Sequence, residues 1–309
     1  MFTIVVASAV AVSLGLGVGV EGSQATYPGT TDGRIAFGNF VVDAPGRAAD
    51  IYSVMPNGRA LHRLTDDPAA DICPAYSADG KEIAFCSDRT GAFEIWKMKQ
   101  NGNQQVQVTH LGTRSLFPDF SPDASKIAFM SLLPPPFGFE IFTIDSEGTG
   151  SPLQLTNSPG SNAFPVYSPD GSKIAFLSNR TGLNQVWVMD ADGSNPVQLT
   201  FDAVLKGQVP DWSPDGSKIA YQGETTGNGD IYVMNADGSG QTQLTNAPQR
   251  EFGTAWSPDG SQIAFVRVLG TAQTDRAIYL MNADGSNQHM LTQGSAVPAW
   301  QPRGRRLHD

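Results

Sequence analysis

Apolar triplets recur along the chain and predict strands at regular intervals. They read Ile-Ala-Phe, or once Ile-Ala-Tyr, and residues of this kind favour buried strands. The six triplets occupy residues 35–37, 83–85, 127–129, 174–176, 219–221 and 263–265. A second apolar and aromatic pair follows each triplet and predicts the next strand: Ile51-Tyr52, Ile95-Trp96, Ile141-Phe142, Val186-Trp187, Ile231-Tyr232 and Ile278-Tyr279. Every unit then ends in Leu-Thr or Val-Thr, which predicts the last strand of the unit.

A turn motif precedes the triplets, and an aromatic residue begins it. Pro presets φ and Gly closes the turn, so the aromatic residue ends a leading strand. The copies are Tyr76-Ser-Ala-Asp-Gly80, Phe120-Ser-Pro-Asp-Ala124, Tyr167-Ser-Pro-Asp-Gly171, Trp212-Ser-Pro-Asp-Gly216, Trp256-Ser-Pro-Asp-Gly260 and the degenerate Trp300-Gln-Pro-Arg-Gly304. Their aromatic residues step by 44, 47, 45, 44 and 44 residues. Four antiparallel strands in each such unit are typical of a propeller blade, so we predict an all-β, six-bladed β-propeller.

The strand count predicts how the ring closes. The first unit lacks a leading strand, because residues 27–32 do not carry the aromatic and turn pattern, whereas a spare leading strand lies at 297–304. We therefore expect the C-terminal strand to complete the first blade and leave no open edge. The predicted organisation is a signal peptide at 1–25 and a propeller at 26–309, with blades at 26–65 plus 296–304, 72–109, 116–156, 163–200, 208–245 and 252–292.

The N-terminal segment predicts export. Residues 2–20 carry no charge, and the small residues of Ser23-Gln24-Ala25 fit a signal-peptidase site. We expect a periplasmic or extracellular protein with no membrane span once the signal is removed. A retained membrane anchor is the alternative, because 19 uncharged residues approach the length of a membrane helix.

Charge bears on the kind of partner. The net charge is −10, and the basic residues form no cluster before Arg303, Arg305 and Arg306. Binding to a nucleic-acid backbone needs a basic surface, so nucleic acid is not an expected partner. We expect a monomer.

Loop variability predicts where a partner binds. Antiparallel blades place the short Ser-Pro-Asp-Gly and Ala-Asp-Gly turns on one face, here called the turn face. The links between blades and the loops between second and third strands lie on the opposite face, the loop face, and they vary in length and chemistry. Variable loops on a rigid frame often carry binding residues, although such residues can also be merely solvated. The candidates on the loop face, at the channel mouth, are Asp71, His110, Arg114, Asn162, Lys206, Arg250 and Glu251.

Two aspartates within predicted inner strands need partners. Asp119 and Asp211 each precede the aromatic residue of an inner strand, where burial of an unpaired carboxylate is costly. Ser-x-Arg-Thr-Gly loops occur only in the units immediately before these two, at Arg89 and Arg180. We predict structural pairs between blades, Arg89 with Asp119 and Arg180 with Asp211.

Both cysteines belong to the second blade. Cys73 and Cys86 flank the Asp79-Gly80 turn symmetrically, so a simple hairpin register places them opposite each other. A disulfide and two packed thiols are both consistent with this placement; export favours the disulfide.

The remaining candidates for catalysis or metal binding, the turn aspartates and the histidines, do not point to a reactive site. The aspartates of the Ser-Pro-Asp-Gly turns are typical turn residues. The four histidines are dispersed, and no pair has metal-ligand spacing. We therefore predict no catalytic residue, no metal and no cofactor.

The repeats resemble the PD40 (WD40-like) repeats of the TolB β-propeller family, the periplasmic component of the Tol-Pal envelope system. The likeness covers roughly residues 30–304, without the α/β domain that precedes the propeller in TolB. Similar repeats occur in prolyl-oligopeptidase-type peptidases, but a Gly-x-Ser-x-Gly nucleophile motif is missing here.

The resemblance implies an exported, non-catalytic module that binds a protein or an envelope polymer. One alternative is a metal-assisted lyase or hydrolase that acts on a sugar or lactone at the channel mouth. A structural propeller that assembles with other subunits is the third hypothesis.

Overall fold

The computed structural model describes residues 33–39, 49–134, 138–207, 209–225, 228–272, 274–294 and 297–302. The predicted signal peptide at 1–25 lies outside these residues. Within the described ranges the fold is all-β, and no helix is long and apolar enough to cross a membrane. All of these residues belong to one compact unit, 31–309.

The described strands form six antiparallel sheets, one for each predicted blade. Blade 1 contains β1 (Ile35–Asn39), β2 (Asp50–Val54), β3 (His62–Arg63) and the C-terminal β25 (Ala299–Trp300). Blade 2 contains β4 (Asp71–Tyr76), β5 (Glu82–Ser87), β6 (Glu94–Lys99) and β7 (Val106–Gln107). Blade 3 contains β8 (Ser115–Phe120), β9 (Lys126–Leu132), β10 (Phe139–Asp145) and β11 (Leu153–Gln154).

The remaining three blades repeat this order with one irregularity. Blade 4 contains β12 (Asn162–Tyr167), β13 (Lys173–Ser178), β14 (Gln185–Asp190) and β15 (Val197–Gln198). Blade 5 contains β16 (Leu205–Lys206), β17 (Asp211–Trp212), β18 (Lys218–Thr225), β19 (Asn228–Asn235) and β20 (Thr242–Gln243). Its inner strand is split, because β16 and β17 both pair with β18. Blade 6 contains β21 (Glu251–Trp256), β22 (Gln262–Val268), β23 (Arg276–Asn282) and β24 (His289–Gln293).

The C-terminal strand closes the ring as predicted. In β25, Trp300 pairs with Ile35 and Ala299 pairs with Ala36. The next residue, Gln301, extends the closure into blade 2, because its amide nitrogen donates to the Gly80 carbonyl at 2.8 Å. First and last segments of the propeller are thus joined by a sheet and by a buried side chain, which leaves blade 1 without an open inner edge.

The repeated triplets have the same structural role in each blade, and the Leu-Thr or Val-Thr pairs have one role in blades 1 to 5. The triplets are fully buried in the second strands, as their apolar composition predicts. In blades 1 to 5 the Thr that ends a unit is also buried, and its Oγ1 accepts an N–H from the third strand, whereas Thr292 of blade 6 is partly exposed and donates to the Gln293 carbonyl. Ile95 donates to Thr109 at 2.8 Å, and Ile141 donates to Thr156 at 2.8 Å. The Thr hydroxyl therefore extends the pairing beyond the two-residue outer strand.

The Ser-Pro-Asp-Gly aspartates stabilise their own turns. In blade 4, the Ser168 hydroxyl donates to Asp170 at 2.6 Å, and the Ser172 N–H donates to the same carboxylate at 3.0 Å. These hydrogen bonds hold the pKa of Asp170 below its ordinary value. Gly171 has φ +72°, and a Cβ there would lie 3.3 Å from Pro122 of the preceding blade. The turns therefore pack against one another around the turn face.

The inner strands of blades 2, 3, 4 and 6 each contain an irregularity about halfway along. Cys73, Phe117 and Phe164 have φ between 52° and 58°, in the left-handed region that non-glycine residues rarely adopt. The ladders of blades 2, 3 and 4 change register at these residues. Such a bulge bends the strand and redirects the side chains that follow it. It also corrects the predicted hairpin register, because Cys86 pairs with Ile72 and not with Cys73.

Candidate functional site

A cavity of about 1330 Å³ occupies the turn-face half of the central channel, and we call it the central cavity. Its wall begins at the bulge residues Cys73, Phe117 and Val209 and continues to the Ser-Pro-Asp-Gly turns. Pro122, Pro169, Pro214, Pro258 and Pro302 of these turns belong to the lining. The turn face therefore forms the rim of the central cavity, whereas the sequence predicted binding residues on the loop face.

One position of the inner strand supplies a complete layer of the cavity wall, here called the cavity ring. It is the residue directly before the inner-strand aromatic, and every blade contributes one. The six members are Ala75, Asp119, Val166, Asp211, Ala255 and Ala299. The cavity ring is therefore apolar in four blades and acidic in two.

The two acids of the cavity ring bind the main chain of the next blade. Asp119 Oδ2 accepts the Tyr167 N–H at 2.7 Å, and Asp211 Oδ2 accepts the Trp256 N–H at 2.6 Å. Burial raises the pKa of Asp119 to about 7 and that of Asp211 to about 8, and the charge of Asp119 adds to the shift at Asp211. Near neutral pH both carboxyl groups can therefore exchange protons with the cavity.

The arginines predicted to pair with these acids bind residues of their own blades instead. Arg89 Nη2 donates to both carboxylate oxygens of Asp71, at 2.9 and 2.8 Å. Arg180 Nη2 donates to Asn162 Oδ1 at 2.7 Å. The predicted pairs Arg89–Asp119 and Arg180–Asp211 were wrong because the two groups lie at opposite ends of the strands. The arginine loop adjoins the start of the inner strand, whereas each aspartate lies next to the turn that follows it.

These arginines belong to a recurring arrangement that we call the cation clamp. A cation lies over two aromatic rings of its blade and contacts a polar side chain near the inner strand. In blade 2, Arg89 lies 5.5 Å from the Phe85 ring and 4.6 Å from the Trp96 ring. Among the described residues, blades 4, 5 and 6 contain clamps built on Arg180, Lys206 and Arg267 respectively. The cation of each clamp is therefore held by a cation–π contact and by a hydrogen bond or ion pair to the polar side chain.

Four of the residues predicted for binding on the loop face are members of cation clamps. Asp71, Asn162 and Glu251 are fully buried, and Lys206 is 2% exposed. Lys206 pairs with Asp202 at 2.8 Å, and Glu251 pairs with Arg267 at 2.5 Å. Their interactions are internal, so they position the frame of the loop face and do not form its surface.

The other three predicted residues are exposed. His110 and Arg114 lie on the link between blades 2 and 3, and Arg114 is 6.0 Å from the Phe93 ring. Arg250 contacts the Phe252 ring at 5.7 Å and pairs with Glu224 at 3.5 Å. The structure does not bring the seven residues together, and none of them lines the central cavity.

The sequence contains a signal for the cavity ring. Asp119 and Asp211 are acids within inner strands, and a cation is not the only group that can satisfy a buried carboxylate. An inner strand that faces a channel also leaves main-chain N–H groups for a carboxylate to accept. The cation clamps likewise had a signal, because the Ser-x-Arg-Thr-Gly loop begins two residues after the Phe of the buried triplet in blades 2 and 4.

The described residues offer few metal ligands. They contain no group of three or more His, Cys, Asp or Glu side chains arranged to hold a metal ion.

Comparisons with known proteins place these observations in a family. The sequence model of the TolB β-propeller domain, PD40, matches residues 37–133, 114–207 and 205–308. An uncharacterized protein of Agrobacterium fabrum is 35% identical over 82 residues, which are 26% of this chain and 28% of that protein. A Tol-Pal system protein TolB of Nitratidesulfovibrio vulgaris is 31% identical over 81 residues, 26% of this chain. The chain therefore spans only 28% and 18% of the lengths of these two relatives.

Solved structures agree on the fold. The crystal structure of TolB from Acinetobacter baumannii superposes with a TM-score of 0.76 at 23% identity. The match covers 88% of this chain and 67% of that one. Together with the family match over nearly the whole propeller, six blades of four strands lead to one conclusion: the chain belongs to the TolB β-propeller domain (PD40) family.

Proposed function

We propose that this protein is an exported, envelope-associated, non-catalytic module that binds another protein. In this proposal the partner inserts a segment into the central cavity through the turn face. The family match and the relative named for the Tol-Pal system support an envelope role. The observation that carries the proposal is the exposed main-chain edge of the inner strands in the cavity wall.

The ladder geometry shows how this edge arises. In blade 2, the Ser77 N–H donates to Glu82, so Ser77 is in a hydrogen-bonded pair. Pairs alternate in an antiparallel ladder, and the N–H of the preceding residue, Tyr76, points away from β5. Asp119 and Asp211 show what such an N–H binds, because each accepts the equivalent group of the next blade.

Four blades have no acid in the position that would accept this N–H. The residues that precede the inner strands containing Tyr76, Phe120, Trp212 and Trp300 are Ala299, Ala75, Val166 and Ala255, and none of these side chains has an acceptor. A carbonyl or carboxylate oxygen of an inserted segment fits the same place. Adding main-chain hydrogen bonds at an open strand edge is an established way for proteins to bind extended peptides.

The rim favours binding without rearrangement. Its turns are held by internal hydrogen bonds and by contacts between the Pro of one blade and the Gly of the next. A preorganised site loses little conformational entropy when it binds. An inserted protein segment uses these edges better than an envelope polymer that lacks peptide groups. We do not propose the lyase or hydrolase, because no described donor cluster supports its metal site.

A cross-linking pull-down from envelope extract tests the proposal with two matched variants. The first is Ala75→Phe with Ala299→Phe, because both alanines line the cavity and are partly exposed to it. The second is His110→Ala, Arg114→Ala and Arg250→Ala on the loop face. Thermal unfolding must first show that both variants fold.

We expect a protein captured by the parent chain to be lost with the cavity variant and retained with the loop-face variant. The opposite result would place the partner on the loop face and overturn binding in the cavity. Retention by both variants would exclude both surfaces. Capture of a saccharide polymer without protein would overturn a protein partner.

A further inference from the structure

A cysteine thiol forms part of the cavity wall at a strained position. Cys73 lines the central cavity and has φ +55°, because it is the bulge residue of β4. It is 7% exposed, so the sulfur is reached only from the cavity side. The equivalent bulge residues of blades 3 and 4 are Phe117 and Phe164, which pack against each other with ring centroids 4.6 Å apart. Blade 2 therefore presents a nucleophile where its neighbours present packing groups.

A second thiol lies directly behind the first. Cys86 on β5 is fully buried and lies within hydrogen-bonding reach of the Cys73 thiol. Its sulfur accepts the Phe117 N–H of blade 3 at 3.2 Å. Burial raises the pKa of Cys86 well above its ordinary value, so this thiol reacts more slowly than Cys73 with a reagent from the cavity and is suited to the second, intramolecular step. Both cysteines are free thiols in this structure.

We propose that Cys73 and Cys86 form a reactive dithiol site for small-molecule disulfides that enter the central cavity, with Cys73 reacting first and Cys86 resolving the adduct. The cavity admits the reagent, the bulge exposes one sulfur to it, and the contact between the two sulfurs provides the resolving step. This assignment does not depend on which protein the cavity binds.

The reaction is balanced by the entering disulfide, which is the oxidant. Cys73 loses its proton to solvent, and its thiolate attacks one sulfur of the reagent. The reagent's S–S bond breaks, a mixed disulfide forms at Cys73, and one small thiolate leaves. Cys86 then loses its proton and attacks Cys73 Sγ, which releases the second small thiolate. In total, two cysteine thiols are oxidised by two electrons, and the reagent is reduced to two thiols.

The product joins β4 to β5 beside the next blade. The bond closes a short loop around the Asp79-Gly80 turn, next to the Phe117 N–H that donates to Cys86 Sγ in the dithiol form. At the equivalent positions of blades 3 and 4 lie Phe117 with Met130 and Phe164 with Leu177, where only apolar packing is available. Blade 2 alone among these three can therefore be locked covalently at the bulge.

Intact-mass measurement of the folded chain with oxidised glutathione tests the proposal. The parent chain is expected to lose two hydrogens and to take up no alkylating reagent after denaturation without reduction. Cys86→Ser is expected to accumulate a single glutathione adduct at Cys73, because no resolving thiol remains. Cys73→Ser is expected to form an adduct at least about tenfold more slowly, because Cys86 is buried and protonated.

Three results would overturn the assignment. Two freely alkylated thiols in the treated parent chain would show that the pair does not react. Equal adduct rates in the two single variants would show that the cavity does not select Cys73. An unreactive but folded Cys86→Ser variant would show that the cavity does not admit the reagent. Cys73→Ala and Cys86→Ala, with cooperative unfolding verified for each, separate loss of the thiol from loss of the fold.

Discussion

The inner strands of the propeller hold acids near both of their ends, and the surroundings of those acids differ. At the start of the strand, Asp71 and Glu251 each contact a guanidinium of the same blade, at 2.8 and 2.5 Å. Near the other end, Asp119 and Asp211 bind main-chain N–H groups, in each case that of the next blade and for Asp211 also that of Trp212. Burial raises the pKa of all four, but Arg89 and Arg267 oppose the rise at Asp71 and Glu251.

This difference shows how one strand can carry two functions. A paired acid at the loop-face end is held by a cation and two aromatic rings, so it fixes the second and third strands to the inner strand. An acid at the turn-face end has no such cation in the described structure and lines the open central cavity, so its proton is exchangeable. The loop-face end is thus a structural joint, whereas the turn-face end is the wall of a site.

Removing an inner strand altogether is the most severe disturbance of both ends. Deletion of residues 296–309 removes β25 and Gln301, which opens blade 1 and exposes the inner edge of β1. We expect loss of cooperative thermal unfolding, measured by calorimetry, because the ring then has a free edge. A cooperative transition at an unchanged temperature would contradict closure by the C-terminal strand.

Breaking the charged pair in blade 2 tests the loop-face end. Arg89→Met keeps the volume over Phe85 and Trp96 but leaves Asp71 buried without its cation. We expect the free energy of unfolding to fall by about 3–5 kcal/mol in urea denaturation. The exposed Arg59→Met is the matched control and should change it by less than about 0.5 kcal/mol.

Asp71→Asn combined with Arg89→Met should be less destabilised than the sum of the single variants, because no charge is then left buried. Additive effects would show that the pair is not coupled.

The neutral clamp of blade 4 sharpens the same comparison. Arg180 donates to the amide oxygen of Asn162, and the charge of the buried Glu140 acts on Arg180 without a direct ion pair among the described contacts. Arg180→Met therefore leaves an unsatisfied acceptor and removes a more distant cation from Glu140, but it does not remove the direct partner of a carboxylate. We expect a smaller loss, about 1–2 kcal/mol in the same urea experiment. A loss equal to that of Arg89→Met would show that the aromatic contacts, and not the partner's charge, govern the clamp.

The acids of the cavity ring should make the free energy of unfolding depend on pH. Their folded pKa values, about 7 and about 8, exceed that of an unfolded aspartate, about 3.9. The folded state therefore binds more protons between these values, and stability is lost as pH rises from about 4 towards 8. The asparagines of the variants Asp119→Asn and Asp211→Asn cannot ionise. The difference in free energy of unfolding between each variant and the parent chain should therefore be about 1–2 kcal/mol more favourable to the variant at pH 8.5 than at pH 4. That range is well below the full shift, because both groups are partly exposed to cavity water.

Urea denaturation at the two pH values provides the measurement. Ala75 occupies the same ring position in blade 2, and Ala75→Ser serves as the uncharged control with no expected pH dependence. A gain that is equal at both pH values would contradict the raised pKa of Asp119 and Asp211.

The frame of this protein could be predicted because its signals are local. The aromatic residue before each turn, the buried triplet and the Leu-Thr pair occur at fixed places in every unit. Closure by the C-terminal strand followed from the missing leading strand of blade 1. The partners of Arg89 and Arg180 could not be obtained in this way, because co-occurrence in neighbouring units says nothing about which end of a strand a side chain reaches.

The sequence by itself determined six blades, their strand order and the closure of the ring, because backbone preference and burial repeat along the chain with every unit. Only the tertiary structure decided the position of the central cavity, the cation clamps and the contact between Cys73 and Cys86. These depend in part on the bulges in the inner strands of blades 2, 3, 4 and 6, which change the register and redirect the side chains that follow. They also depend on distances between blades, and contacts through space are not encoded in the spacing of a repeat.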